Sequence, residues 1–195
     1  MCENRNQQTE KQKIFLVGIG MGTAVSLTGQ AGEAIARCDY LIGARRMLDL
    51  LRETGNPQEP VESGTAKERE YAEAYVTEEI LSLIRQQRDR RCIGVLLSGD
   101  TGFYSGAKKL ARRLEEAPDL YDVEVIPGIS SVSYLAARLC TSWEDAAIVS
   151  LHGREAGFIR TVFCSRKTFL LLGGKDAGSR MLQKLKYYGV DDVTV

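Results

Sequence analysis

Three short glycine-containing segments hold the residues of this sequence that are best suited to binding a small ligand. The first, Gly18–Gly22 (GIGMG), directly follows the apolar run Ile14–Val17. Glycine permits a positive φ and leaves bare backbone that a ligand can approach. The dinucleotide fingerprint G-x-G-x-x-G fits poorly, because Thr23 stands at its third glycine and Asp39 precedes the second predicted strand instead of ending it. A plain structural turn is the other interpretation that stays open.

The second segment, Ser98–Gly106 (SGDTGFYSG), follows the apolar run Ile93–Leu97 and opens a predicted helix. Small polar residues in that position suit ribose, amino-acid or phosphate groups. The pattern lacks the Gly-Lys-Ser/Thr end of an ATP-binding phosphate loop, which disfavours ATP chemistry. Asp100 has a structural alternative, since an aspartate here is also typical of a helix cap.

The third segment, Ile126–Ser131 (IPGISS), combines a Pro-Gly turn with serine hydroxyls and the amides of a helix start. Taken alone, it is equally an ordinary helix cap. All three segments follow predicted strands, and α/β proteins bind ligands at the carboxyl ends of parallel strands. We therefore expect the three loops to line one edge of a sheet.

Longer stretches around these loops resemble the tetrapyrrole (corrin/porphyrin) methylases. VGIGMG with LTGQAGEAIARCDYLIG resembles the opening of that family, and LLSGDTGFYSGA and VIPGISSVSYLAARL resemble its second and third motifs. WEDAAIVSLHGR (Trp143–Arg154) and LIGARRML (Leu41–Leu48) resemble the branch that methylates C5 of precorrin-7 or cobalt-precorrin-7. The resemblance extends over about residues 13 to 195.

The resemblance implies a cytoplasmic homodimer of two-domain α/β chains that uses S-adenosylmethionine in cobalamin synthesis, with the cofactor in the cleft between the domains. It implies cofactor contacts at nine residues: Gly18, Gly20, Met21, Gly99, Asp100, Phe103, Ser130, Ser131 and Leu172. Two positions depart from the family pattern, since Thr101 replaces the usual proline and Leu172 with Gly173 replaces Thr-Asp. Relatives continue for about two strands beyond Val195, so the C-terminal domain is expected to be truncated.

Methyl transfer from a sulfonium donor requires alignment with a nucleophilic carbon and exclusion of water, and it needs neither a catalytic triad nor a metal. We expect Arg45, Arg46 and Arg154 to grip the carboxylates of a tetrapyrrole substrate. His152, the one histidine, could relay a proton near the reacting carbon. The alternatives are surface solvation for the arginines and structural hydrogen bonding for the histidine.

Three competing functions remain open. A sister methylase would act at another ring carbon of the tetrapyrrole, and a non-catalytic subunit would only bind the cofactor or the tetrapyrrole. A nicotinamide-dependent oxidoreductase is the third, already weakened by Thr23 and Asp39. In the C5-methylating branch, a separate partner would carry out the paired C15 methylation and decarboxylation.

Apolar runs alternate with helical patterns along the chain, which indicates a mainly parallel sheet. Domains are expected at 13–117 and 118–195 after a disordered tail at 1–12. Strands are predicted at Ile14–Val17, Tyr40–Ile42, Ile93–Leu97, Val123–Ile126, Ala147–Leu151, Thr168–Leu172 and Val193–Val195. Helices are predicted at Thr28–Arg37, Ala44–Arg52, Lys67–Arg88, Gly106–Glu116, Ser131–Leu139 and Asp176–Tyr188.

Composition disfavours several classes of protein. The 195 residues carry 26 basic and 26 acidic side chains, which gives no support to a nucleic-acid or membrane partner. The polar start lacks the apolar stretch of a signal peptide, and no apolar run is long enough to span a bilayer. The five cysteines form no C-x-x-C pair, which predicts reduced, mostly buried thiols and no thiolate metal site.

Overall fold

The structure is a computed structural model that describes residues 10–54, 69–151 and 157–190. The chain divides into two compact units, one up to Ser131 and one from Val132 onward. The strand predicted at Val193–Val195 and residues 1–9 of the tail predicted at 1–12 lie outside the described residues. The prediction is wrong at the end of that tail, because Gln12 is buried and begins the first strand, where it pairs with Tyr121.

The first unit contains a five-stranded parallel sheet in the order β3-β2-β4-β1-β5. Its strands are β1 (Gln12–Gly18), β2 (Tyr40–Gly43), β3 (Glu70–Glu73), β4 (Cys92–Leu97) and β5 (Tyr121–Ile126). Its helices are α1 (Gly29–Arg37), α2 (Arg45–Thr54), α3 (Thr77–Gln86) and α4 (Ala107–Glu115), with a short 3-10 turn at Ala24–Ser26. The alternation of strand and helix confirms the predicted parallel α/β class.

The core of this unit lies on both faces of the sheet, as burial of a parallel sheet requires. Successive side chains of a strand point to opposite faces. In β1, Phe15 and Val17 therefore pack into one apolar cluster, while Ile14 and Leu16 pack into the other. This double burial explains why the strand is an uninterrupted apolar run in the sequence.

Helix α1 begins where its cap residue predicts. The Thr28 hydroxyl accepts a hydrogen bond from the Ala31 amide at 3.2 Å, which satisfies one of the amides that a helix start leaves free. Ala31, Ala34 and Ile35 are buried at helical spacing against the sheet. The predicted Thr28 cap is confirmed.

The predicted helix over Lys67–Arg88 is wrong in its first part, where the structure forms strand β3 and then the shorter helix α3. The sequence Glu70–Glu73 has good helix formers, but β3 completes the sheet by pairing in parallel with β2. Tyr71 also packs against the core on one face. Ladder hydrogen bonds and burial of this ring therefore override the local helix propensity.

The boundary between the units falls after Ser131, later in the chain than the predicted boundary after Ala117. Strand β5 lies beyond the expected boundary after Ala117, yet it pairs with β1 along its whole length and completes the first sheet. A loop-like Pro118-Asp119 pair thus marks only the turn into β5. Pairing with a strand about a hundred residues earlier cannot be read from that local signal.

The second unit contains a parallel pair of strands, β6 (Ala147–Ser150) and β7 (Thr168–Leu171). Its helices are α5 (Ser131–Arg138), α6 (Phe158–Cys164) and α7 (Ala177–Tyr187), of which α6 was not predicted. Phe158, Met181, Leu185 and Val190 form its core.

The described cysteines only partly follow the expectation of buried thiols. Cys38 and Cys92 are buried with their sulfur atoms 3.5 Å apart, while Cys140 and Cys164 are exposed. The hydrogen bond with Cys92, together with burial, raises the pKa of the Cys38 thiol far above its usual range. Burial beside Cys92 thus favours the neutral form of the Cys38 thiol, which is the less reactive form. Across the described residues, every helix is too short or too polar to cross a bilayer.

Candidate functional site

The three glycine-containing loops follow strands that are neighbours in the sheet. Loop 1 (residues 18–26) begins at the last residue of β1, loop 2 (residues 98–106) follows β4, and loop 3 (residues 127–130) follows β5. The strands are parallel, so all three loops leave the same edge of the sheet. This confirms the expectation that they line one edge.

Loops 1 and 2 are joined directly through their backbones. The Gly20 amide donates to the Gly99 carbonyl at 3.1 Å, and the Gly99 amide donates to the Gly20 carbonyl at 2.9 Å. Both glycines have positive φ, +63° for Gly20 and +69° for Gly99. The left-handed backbone is what lets the two loops turn toward each other over the strand ends.

Loop 3 packs against the other two so closely that only glycine fits. A Cβ on Gly18 would lie 2.7 Å from the Gly128 amide nitrogen and 2.8 Å from the Gly99 carbonyl oxygen. A Cβ on Gly128 would lie 2.6 Å from the Gly18 carbonyl oxygen. Each of these obstructing atoms belongs to the backbone. The overlap therefore could not be relieved by rotation of a neighbouring side chain and would require the loops themselves to shift. Gly18, Gly99 and Gly128 thus form a three-glycine contact that packs the three loops against one another.

Asp100 ties loop 2 to loop 3. Its Oδ1 accepts from the Gly102 amide at 2.8 Å, and its Oδ2 accepts from the Gly128 amide at 3.0 Å. The predicted alternative, a cap for the following helix, is wrong. Helix α4 begins only at Ala107, whose amide donates instead to the Ser105 hydroxyl at 3.2 Å. Asp100 is therefore the link between two loops.

Thr101, the departure from the family's usual proline, is accommodated beneath this link. Its side chain is buried, and its hydroxyl donates to the Ile126 carbonyl at 3.3 Å. Ile126 ends β5, so the threonine adds a second connection between loop 2 and the start of loop 3. A proline could not donate this hydrogen bond.

Ser26 organises loop 1, although it is not among the predicted site residues. The buried Ser26 hydroxyl accepts from the Met21 amide at 3.1 Å and from the Thr23 amide at 3.3 Å. It donates to the Thr23 carbonyl at 2.9 Å. A serine three residues after a threonine is the pattern of a reciprocal cap, and that spacing was the available signal.

The two arginines at the start of α2 have different surroundings. The Arg46 guanidinium donates to the Ser98 hydroxyl at 2.8 Å, which places its charge at the beginning of loop 2. A Cβ on Gly22 would lie 3.3 Å from the same guanidinium, so Arg46 also reaches loop 1. Arg45 instead pairs with Asp49 at 3.6 Å and is largely exposed. Of the two, only Arg46 joins the loop edge.

The remaining predicted site residues are distributed between the two units. Met21 in loop 1, Phe103 in loop 2 and Ser130 in loop 3 are half-buried. Ser131 is the first residue of α5, and Leu172 packs against the core of the second unit. His152 and Arg154 lie outside the described residues.

Asp39, which the dinucleotide hypothesis needed as a ribose ligand, lies at the opposite edge of the sheet from the loops. It immediately precedes β2, whose four residues separate it from the carboxyl end of that strand. At about 3.3 Å per residue, the strand holds the carboxylate about 13 Å away from the loop edge. The geometry therefore argues against a nicotinamide dinucleotide at these loops.

Replacing Asp100 by asparagine should weaken the connection of loop 2 to loop 3. One carboxylate oxygen becomes an NH₂ group, which cannot accept from a backbone amide, so either Gly102 or Gly128 loses its acceptor. A lost hydrogen bond to a charged group costs about 1.5–3 kcal/mol, and urea unfolding should show that decrease in the free energy of unfolding. Asp122→Asn is the matched control, because Asp122 is an exposed partner of Lys13 and should cost less than about 1 kcal/mol. Equal losses in both variants would refute the link.

Comparison with known proteins supplies the context for this edge. Residues 13–195 match the family model for tetrapyrrole (corrin/porphyrin) methylases. The chain is 33% identical over 143 residues to a probable cobalt-precorrin-7 C(5)-methyltransferase of Methanocaldococcus jannaschii, covering 73% of this chain and 61% of that protein. It is 34% identical over 145 residues to the cobalt-precorrin-7 C(5)-methyltransferase of Salmonella typhimurium, covering 74% and 64%. The chain thus spans somewhat less than two thirds of the length of these relatives.

Solved structures share the fold at lower sequence identity. The methyltransferase CobJ superposes with a TM-score of 0.65 at 16% identity, over 91% of this chain and 76% of that one. The uroporphyrin-III-C-methyltransferase of Thermus thermophilus superposes with a TM-score of 0.61 at 21% identity, over 88% and 72%. With the family model matching nearly the whole sequence, the chain belongs to the tetrapyrrole (corrin/porphyrin) methylases.

Proposed function

We propose that this chain transfers a methyl group from S-adenosylmethionine to C5 of precorrin-7 or cobalt-precorrin-7 in cobalamin synthesis. The observation that carries the proposal is that loops 1, 2 and 3 are hydrogen-bonded to one another at one edge of the sheet, in a chain of the methylase family. The two relatives of 33% and 34% identity are both named for C5 methylation of cobalt-precorrin-7. Family and geometry thus support the same reaction class.

The loop edge suits a cofactor that must approach the backbone closely. Gly20, Gly22 and Gly99 hold left-handed conformations there, and a Cβ on Gly99 would meet nothing nearer than the Ile129 carbonyl oxygen at 3.8 Å. The surface beside Gly99 is therefore open backbone. When bound, S-adenosylmethionine supplies an activated methyl on its sulfonium. The residues proposed to hold it are Gly18, Gly20, Met21, Gly99, Asp100, Phe103, Ser130, Ser131 and Leu172.

The chain's own task is alignment and exclusion of water. Loop 1 is held by Ser26 and loops 2 and 3 by Asp100, so the amides that border the cofactor surface are fixed before any ligand arrives. Such pre-organisation lowers the ordering cost of binding. The same fixed loops would help to align the bound methyl group with the nucleophilic carbon.

Arg46 is the described residue best placed to receive a substrate carboxylate. Its guanidinium already lies against Ser98 at the loop edge, and its planar fork can bind a carboxylate with its other N–H groups. Arg45, His152 and Arg154 are proposed as further substrate contacts on the family resemblance. A cytoplasmic homodimer, and a separate partner for C15 methylation and decarboxylation, are proposed on the same basis, with light scattering as the test of the dimer.

The direct test is incubation of the protein with cobalt-precorrin-7 and a donor carrying a ¹³C methyl group. Mass spectrometry should show a gain of one labelled methyl, and ¹³C NMR should place it on C5. Label on another carbon would identify a sister methylase instead. Binding of tetrapyrrole and of S-adenosylhomocysteine without transfer would indicate a binding subunit, and both results would overturn the proposal.

Arg46→Ala should separate substrate recognition from cofactor binding. Loss of one charged hydrogen bond predicts a fall of about tenfold in kcat/KM for the tetrapyrrole, with the affinity for S-adenosylhomocysteine unchanged. Arg45→Ala, one residue earlier on the same helix, should lower kcat/KM by less, because the Arg45 guanidinium is paired with Asp49. Single-turnover methylation and titration calorimetry measure the two quantities. An equal loss in both variants would contradict the assignment.

A further inference from the structure

Tyr104, which no cofactor or substrate assignment above includes, has an unusual backbone conformation in loop 2. Its φ is +48°, the left-handed region that non-glycine residues rarely adopt. Its side chain is one of the exposed large hydrophobic groups of the chain, with 64% of the residue's surface accessible. The neighbouring Phe103 ring meets it edge to face, with centroids 5.0 Å apart. Tyr104 is therefore a strained residue that presents an aromatic ring to solvent.

Cys140 shows what a structural reason for this conformation looks like. Within the described residues it is the other non-glycine residue with positive φ, at +49°. It lies two residues beyond the end of α5, where the Thr141 amide donates to the Ala136 carbonyl at 2.9 Å in a helix-ending motif. Tyr104 lies before a helix, so no such motif accounts for it. Glycine or asparagine would adopt the same backbone at lower cost.

Packing does not account for the conformation of Tyr104 either. Burial of the ring could offset the backbone strain, but most of the residue is accessible to solvent. Strained residues that the surrounding structure retains are concentrated at functional sites.

Loop 2 also carries two different chemical groups, one at each end. Arg46 is held at its start by Ser98, and the aromatic ring stands near its finish. A guanidinium with an exposed aromatic face suits a flat conjugated molecule that carries carboxylates on its rim.

We propose that the Tyr104 ring stacks on the face of the tetrapyrrole macrocycle and so contributes to recognition of the substrate rather than the cofactor. The inference rests on the proposed function. Aromatic stacking on a flat conjugated ring is a property of the side chain's π face, and the hydroxyl is not required. Tyr104→Phe should therefore retain recognition, and Tyr104→Asn should lose it while keeping the left-handed backbone.

The experiment measures three quantities for wild type, Tyr104→Asn and Tyr104→Phe: melting temperature, affinity for S-adenosylhomocysteine, and KM and kcat for cobalt-precorrin-7. We expect Tyr104→Asn to raise KM by about tenfold or more, with melting temperature and cofactor affinity unchanged or improved. Tyr104→Phe should match wild type. Tyr187→Asn is the control, since Tyr187 is an exposed tyrosine with the same edge-to-face packing against Tyr188, and it should change none of the kinetic values.

The outcomes separate this inference from the function on which it rests. If wild type methylates the tetrapyrrole and Tyr104→Asn has an unchanged KM, the stacking role alone is refuted. A weaker affinity of Tyr104→Asn for S-adenosylhomocysteine would assign the ring to the cofactor and also refute it. A lower melting temperature with unchanged KM would show a structural role. If wild type itself fails to methylate, the proposed function has failed and the stacking role fails with it.

Discussion

Replacing Gly128 by alanine should lower the free energy of unfolding by at least about 3 kcal/mol, the upper range for adding a methyl group to a well-packed site. The new Cβ would overlap the Gly99 carbonyl oxygen and lie 2.6 Å from the Gly18 carbonyl oxygen. Both obstructing atoms are backbone at the ends of adjacent strands, so relief requires separation of the loops. Urea unfolding followed by circular dichroism measures the loss.

Gly29→Ala provides the matched control for this variant. Gly29 is the first residue of α1, and within the described part of the chain a Cβ there would meet no atom closer than 4 Å. Alanine is a better helix former by up to about 1 kcal/mol, so this variant should be as stable as wild type or more stable. A Gly128→Ala protein with unchanged unfolding would show that the three-glycine contact is looser than the structure indicates.

Gly20→Val should abolish binding of S-adenosylhomocysteine, with an affinity loss of at least about a hundredfold. A valine at a φ of +63° is strained, and its Cβ would lie 2.5 Å from the Ser26 carbonyl oxygen. Loop 1 would have to shift, which breaks the paired backbone hydrogen bonds between Gly20 and Gly99. Titration calorimetry on the folded variant gives the affinity.

Gly189→Val distinguishes the effect of backbone strain from damage to the loop edge. Gly189 has almost the same φ, +68°, but it follows α7, and a Cβ there would meet no atom of the described residues within 4 Å. The variant should lose about 1–2 kcal/mol of stability from the left-handed strain and keep its full affinity for S-adenosylhomocysteine. A folded Gly20→Val protein that binds normally would remove loop 1 from the cofactor site.

Local chemistry was enough to predict most of the elements and the place of the loops. The cap at Thr28 and the apolar run of β1 are signals within a few residues of the structures they form. The glycines of loops 1 and 2 likewise predicted turns, since positive φ depends on the residue itself. Parallel strands then place such turns at one edge without any further information.

Tertiary structure decided which residue each of these groups contacts. Asp100 binds the amide of Gly128, 28 residues away, because β4 and β5 lie on either side of β1 in the sheet. Pairing of β5 with β1 places β5 in the first unit, so the unit boundary lies after this strand. Pairing of β3 with β2 likewise makes β3 a strand despite its helix-forming sequence. The sequence by itself thus determined the backbone conformations that single residues favour. The pairing of strands that are distant in the sequence determined which residues contact one another, because a local sequence pattern does not encode which distant strand will become the neighbour.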